Sequence, residues 1–197
     1  RQRASELGTP PEACLQTGPD LSAGAPPNTI LNPSFEENAQ VHDTRWIFNP
    51  LGAEATGEWA FGQGRTGQHA LRLTASIPAP EDVLFGWPGW FTAEPILLCQ
   101  GRSYQFGAWA SSPDGASAWL SIEMSGSGGA ISTGCTDLPA LGEGGWQLIT
   151  LTLDRVPADG LPVRLGLQQC LPTDGSPVST HYYDDVFFGD SSLGVPP

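Results

Sequence analysis

The chain has 197 residues, enough for one β-sandwich plus flanking arms, and a core of that size buries about 70 % of the surface that the unfolded chain exposes. Its net charge is −13 and all eight basic residues are arginine, which disfavours nucleic acid and anionic lipid as partners while leaving neutral ligands and divalent cations open. No apolar stretch approaches the ~20 residues of a membrane span, so membrane insertion is not expected.

Gly (25) and Pro (19) occur at roughly twice their typical usage, spread along the chain among aromatics, which points to many tight turns between short strands. Cys14, Cys99, Cys135 and Cys170 stand far apart without a C-x-x-C pair, against a zinc site or a thioredoxin-like dithiol. An even cysteine count in an acidic, lysine-free chain fits disulfides in an extracellular or cell-surface setting. Isolated buried thiols in a cytosolic protein are the alternative. The first residues, Arg1 to Glu6, hold no apolar signal segment, so an exported protein would be present here in mature or trimmed form.

Residues 1–27 carry Pro10-Pro11, Gly18-Pro19 and Pro26-Pro27 with little apolar periodicity and read as an arm or linker. Residues 28–189 read as one domain and 190–197 as a tail. Candidate strands are 29–36, 44–49, 55–62, 68–76, 83–98, 102–111, 117–124, 146–153, 162–169 and 180–188. Leu71, Leu73 and Ala75 alternate with Arg72 and Thr74; Tyr104, Phe106 and Ala108 alternate with Gln105 and Gly107. Ile149, Leu151 and Leu153 face away from Trp146, Leu148, Thr150 and Thr152. Ser125–Gly145 is the longest stretch without a strand signal. No window sustains a helical apolar stripe. This grammar predicts an all-β fold, a two-sheet antiparallel β-sandwich or jelly roll.

Several segments then fall into a known order. Thr29-Ile-Leu-Asn-Pro-Ser-Phe-Glu36 opens the domain, followed by Trp46, Gly67-Gln-His-Ala-Leu-Arg-Leu73 and Gly101-Arg-Ser-Tyr-Gln-Phe-Gly-Ala-Trp109. Gly145-Trp-Gln-Leu-Ile-Thr-Leu-Thr-Leu153, Pro162-Val-Arg-Leu-Gly-Leu167 and Tyr182-Tyr-Asp-Asp-Val186 complete it. Over residues 28–189 the chain resembles the family 4/9 carbohydrate-binding modules and their galactose-binding-like relatives. The resemblance implies a jelly roll, and it implies a structural Ca²⁺ where the first and last strands meet. Glu36 and Asp184, with Asp185 as the alternative, would supply charge. The carbonyls of Ser34 and of the turn around Arg65 and Gln68 would complete an oxygen shell of the kind Ca²⁺ takes. Without a cation, Glu36 caps a turn and Asp184-Asp185 form a solvated strand end.

Seven tryptophans raise the question of which stay outside. Sugar rings present apolar C–H faces that stack on indoles, while polar side chains bond the hydroxyls. Trp46, Trp109 and Trp146, inside motif strands, are expected in the core, and Trp59 is left undecided. Trp87 and Trp90 flank Pro88-Gly89, where a kink could bring either to the surface. Trp119 alternates with Ser121 and Glu123 against Leu120, Ile122 and Met124, and so faces the polar side. Arg164 and Gln168 share a face opposite Val163, Leu165 and Leu167. The expected ligand surface is therefore Trp87, Trp90, Trp119, Glu123, Arg164 and Gln168; cover for a core edge or a protein interface is the alternative.

No catalytic machinery is evident. There is no Gly-x-Ser-x-Gly elbow, and His42, His69 and His181 lack metal-ligand spacing. Glu123 with Asp137 or Glu143 could form a glycosidase pair only if loops brought them together. Strand directions carry residues 99, 135 and 170 toward one end of the sandwich. Of three possible connectivities, Cys135–Cys170 would pin the Gly/Ser loop and Cys14–Cys99 would tie down the arm. The function expected is non-catalytic recognition of a polysaccharide or other glycan. The rival is a structural or assembly subunit that packs on protein neighbours through its terminal arms.

Overall fold

Alternation along each strand decides which side chains meet in the middle. The computed structural model describes residues 34–36, 45–50, 54–76, 88–124, 129–138, 145–157, 161–170 and 178–191. They form β1 (Trp46–Asn49), β2 (Glu54–Phe61), β3 (His69–Ser76), β4 (Gly89–Thr92), β5 (Ile96–Leu98) and β6 (Tyr104–Ser111). The later strands are β7 (Ala118–Met124), β8 (Gly129–Ser132), β9 (Gln147–Leu153), β10 (Leu161–Gln169) and β11 (Val178–Asp190). No α-helix occurs among the described residues. One antiparallel sheet runs β1-β4-β10-β7-β8, with β5 also pairing β10; the other runs β2-β3-β11-β6-β9. Two sheets stacked on one apolar interior make the expected β-sandwich.

Leu120, Ile122, Val163, Leu165 and Leu167 from the first sheet meet Leu71, Leu73, Phe106, Ile149, Leu151 and Phe188 from the second. Toward β1 and β2 the filling turns aromatic. Phe35 sits edge-on to Trp46 and Trp59, at 6.1 and 5.6 Å, and Trp90 packs on Phe48 and Trp59 at 5.4 and 6.1 Å. Gly57 of β2 makes room for this cluster, since a Cβ there would strike the Phe48 ring and come within 2.8 Å of the Trp90 ring. Polar ends of buried and half-buried aromatics also bridge to distant backbone. Trp90 Nε1 donates to the Arg72 carbonyl (3.1 Å), Trp59 Nε1 to that of Phe35 (2.8 Å) and Tyr183 Oη to that of Gln168 (2.5 Å). Each indole or phenol thus keeps a hydrogen bond while its ring packs on the core.

Some expectations are corrected. Ser34–Glu36, expected in a first strand, is a turn in which Phe35 takes φ 57° and drops its ring into the core. The expected strand 83–98 is divided by Glu94-Pro95 into β4 and β5, because proline cannot donate to a ladder. β8 lies inside the stretch expected to be loop; Ile131 is its one large apolar residue, too little for a periodic signal. Trp109 is not core. It faces outward opposite Asp184, with the Arg65 guanidinium carbon 3.7 Å from its ring centroid. Trp146 precedes β9 and is half-buried, whereas Trp46 is 3 % exposed, as expected.

The interior becomes polar near Ser117. His181, fully buried, has Nε2 2.9 Å from the Ser117 carbonyl, which also accepts from the Cys170 amide. Ser117 Oγ donates to Asp137, and Ser179 Oγ donates to Gln169 Oε1. Burial pushes His181 down to about 4 from an ordinary 6.5. The unfolded chain therefore takes up this proton first, and stability falls as pH drops from 6.5 toward 4, by up to about 3 kcal/mol. Asp184, lifted by burial to about 7, works in the opposite sense, losing stability as pH rises toward that value. The His181 share is thus isolated by comparing pH-dependent urea unfolding of wild type with His181→Gln. The difference between the two should shrink by that amount between pH 6.5 and 4.

Candidate functional site

The side of the six-stranded sheet that faces away from the core gathers its side chains in rows fixed by register. One row runs Asn49, Gly89, Gln168, Trp119; the next runs Ile47, Phe91, Gly166, Ser121, Ser132; a third holds Arg164, Glu123 and Ala130. At ~4.8 Å per strand, the five-strand row spans about 20 Å, the length of an oligosaccharide rather than of one sugar. The middle is sunk, with Gln168 and Ser121 each 3 % exposed and Phe91 5 %. The rim is accessible at Ile47, Asn49, Arg164 and Ser132, and half accessible at Trp119 and Glu123.

Trp119 is held from below. Its Nε1 donates to Gln168 Oε1 at 2.7 Å, and Ser121 Oγ donates to the same oxygen at 2.7 Å. Gln168 is fixed in turn by β10, whose carbonyl at this residue accepts the Tyr183 hydroxyl from the opposite sheet. The indole is a preset platform, and little side-chain entropy remains to be lost when something stacks on it. Burial raises the Glu123 carboxyl above the ordinary glutamate range, and Arg164, its cross-strand partner, offsets part of the rise. Two side chains of opposite charge beside an aromatic face suit bonding to hydroxyl groups.

Four expected site residues, Trp119, Glu123, Arg164 and Gln168, therefore share this face. Trp90 does not; it lies on the core side at 6 % exposure. Trp87 lies outside the described residues. The Cys135–Cys170 bridge is present, with Cα atoms 5.8 Å apart, and ties the segment after β8 to the end of β10. Cys14, expected to pair with Cys99, also lies outside the described residues.

Glu36 and Asp184 both reach the turn between β2 and β3. Glu36 Oε1 accepts the amides of Gln68 (2.7 Å) and His69 (2.8 Å), and its Oε2 lies 2.9 Å from His69 Nδ1. Asp184 Oδ2 accepts the amides of Arg65 (2.7 Å) and Thr66 (3.0 Å). Asp185, at φ 46° in a bulge of β11, binds Arg65 Nη1 and Thr66 Oγ1, each at 2.5 Å. Burial raises Glu36, but bonds from the His69 ring and the two amides bring it below the ordinary glutamate range. Ser34 is half-buried two residues before Glu36.

No protein-family model matches the chain, and no curated protein matches it. Among solved structures, the CBM22-1 xylan-binding domain of Paenibacillus barcinonensis Xyn10C gives a TM-score of 0.53 at 13 % identity, over 86 % of this chain and 97 % of that one. The fold is that of a carbohydrate-binding module. The CBM22-1–CBM22-2 tandem of the same enzyme gives 0.56 at 18 % identity, over 80 % of this chain and 49 % of the tandem. A CBM4 structure gives 0.52 at 20 % identity, over 83 % of this chain and all of the other. At such identities the likeness to these modules is one of fold.

The sequence reading sets Ser121 on the polar side with Trp119 but misses Phe91, Ile47, Asn49 and Ser132 on this sheet. Phe91 faces outward because Trp90, its neighbour along β4, points into the core. Gly166 lets that ring lie across β10; an added Cβ would strike Ser121 Oγ and come within 2.8 Å of a Phe91 ring carbon. Gly166→Ala should therefore destabilise the domain by about 1–3 kcal/mol through overpacking, read as a lower urea midpoint at unchanged m-value.

Proposed function

We propose that the outward face of the six-stranded sheet binds a polysaccharide chain without cutting it, in an extracellular or cell-surface setting. The observation that carries this reading is the pinned, half-exposed indole of Trp119, set in a polar row with Gln168 and beside Glu123 and Arg164. Stacking supplies affinity there, and flanking polar groups read the hydroxyls. A neutral glycan is favoured. The net charge of −13 repels polyanions, and Arg164 stands directly opposite Glu123. The fold neighbour from Paenibacillus barcinonensis is a xylan-binding domain, which makes xylan the first polymer to test.

One feature supports a non-catalytic role, and another bears on location. Glycosidases place two carboxyl groups across the scissile bond. Among the described strand residues of this face, Glu123 is the one carboxyl. The Cys135–Cys170 bridge supports an oxidising location. Among the described residues, no helix is long and apolar enough to cross a membrane.

Affinity electrophoresis in gels containing xylan, mixed-linkage glucan or galactan tests the reading. Wild type should be retarded by at least one polymer. Trp119→Ala should bind it at least about tenfold more weakly, a loss of ~1.4 kcal/mol or more, while keeping its melting cooperativity. Unretarded migration in every neutral glycan, together with concentration-dependent oligomers on size-exclusion chromatography, would favour the assembly subunit instead.

A further inference from the structure

The turn at residues 62–68 has almost nothing of its own to hold it, yet it anchors the start of β3 and the middle of β11. Its amides from Arg65, Thr66, Gln68 and His69 all point at carboxylates, two at Asp184 and two at Glu36. A Ca²⁺ shell requires the reverse arrangement, with six to eight oxygens converging on one point. Two of the backbone oxygens at hand are engaged elsewhere: the Gln68 carbonyl accepts the Gly62 amide at 2.6 Å, and the Phe35 carbonyl accepts Trp59 Nε1. Among the described residues, no three His, Cys, Asp or Glu side chains gather closely enough to hold a metal ion. The residues present do not fit the calcium shell that the family resemblance implies.

A positive charge is nevertheless supplied. Arg65 sends its guanidinium over the Trp109 ring, with Cζ 3.7 Å from the centroid, and bonds Asp185 Oδ2. Stacking on the indole and pairing with the carboxylate fix the same planar group from two directions, which an ammonium could not reproduce. We propose that this chain closes the junction of its turn with β11 through Arg65 and four backbone amides, in place of a divalent cation, and that the folded domain is indifferent to calcium.

The experiment is thermal unfolding of the whole chain after exhaustive EDTA treatment and dialysis, then with about 1–10 mM CaCl₂, a range that covers weak extracellular calcium modules. The same pair of measurements is made on Arg65→Gln, with calcium titrated calorimetrically into wild type. The expected result is a wild-type midpoint that agrees within about 1 °C in the two buffers, with no saturable heat. Arg65→Gln should melt about 3–6 °C lower in both. A wild-type midpoint that rises saturably with calcium or falls on chelation overturns the proposal, as does an Arg65→Gln variant that melts with wild type. Should that variant fail to fold, the wild-type melts and the titration decide between the two outcomes alone.

Discussion

Everything at the candidate site follows from one constraint: β10 can show a given side chain to the core or to the open face, but never to both. With Val163, Leu165 and Leu167 committed to the interior, Arg164, Gly166 and Gln168 must face out. Pairing with β7 then fixes what stands beside them, Gln168 next to Trp119 and Arg164 next to Glu123. A one-residue slip would bury a guanidinium and expose three aliphatic side chains, so register is strongly specified here. The platform is thus as rigid as the core beneath it, and Tyr183 adds a direct bond from the other layer.

That logic also explains what the amino-acid order disclosed. Trp119, Glu123, Arg164 and Gln168 were legible because each alternates with aliphatic residues that have no plausible place but the interior. Trp109 obeys the same rule, against the expectation that a motif-strand indole is core. Tyr104, Phe106 and Ala108 point inward, which leaves residue 109 outside. Trp90 failed for a different reason. Around Gly86 to Phe91 aromatics and breakers crowd together, and no period survives to orient any one of them. β8 was invisible because an edge strand with a single inward residue looks like its neighbouring loop.

The junction at residues 62–69 depends on features that sequence spacing does not carry. Glu36 and Asp184 each accept backbone amides of the turn between β2 and β3. Their hydrogen-bond partners depend on backbone orientation, which spacing does not report. Arg65 lies in a Gly-rich connection with no periodicity, and its contact with Trp109 becomes apparent only once that indole is known to face outward.

The Cys135–Cys170 cross-link reaches beyond the loop that it fastens. The ring it closes contains β9, which belongs to the five-stranded layer, and β10, which belongs to the six-stranded one. Even a fully denatured chain therefore keeps the segment after β8 joined to the end of β10, closing a loop with a sequence separation of 35 and removing part of the unfolded chain's freedom. Refolding of the oxidised polypeptide starts from a narrower set of conformations, whereas the reduced polypeptide must bring the ends of that loop together from an open coil.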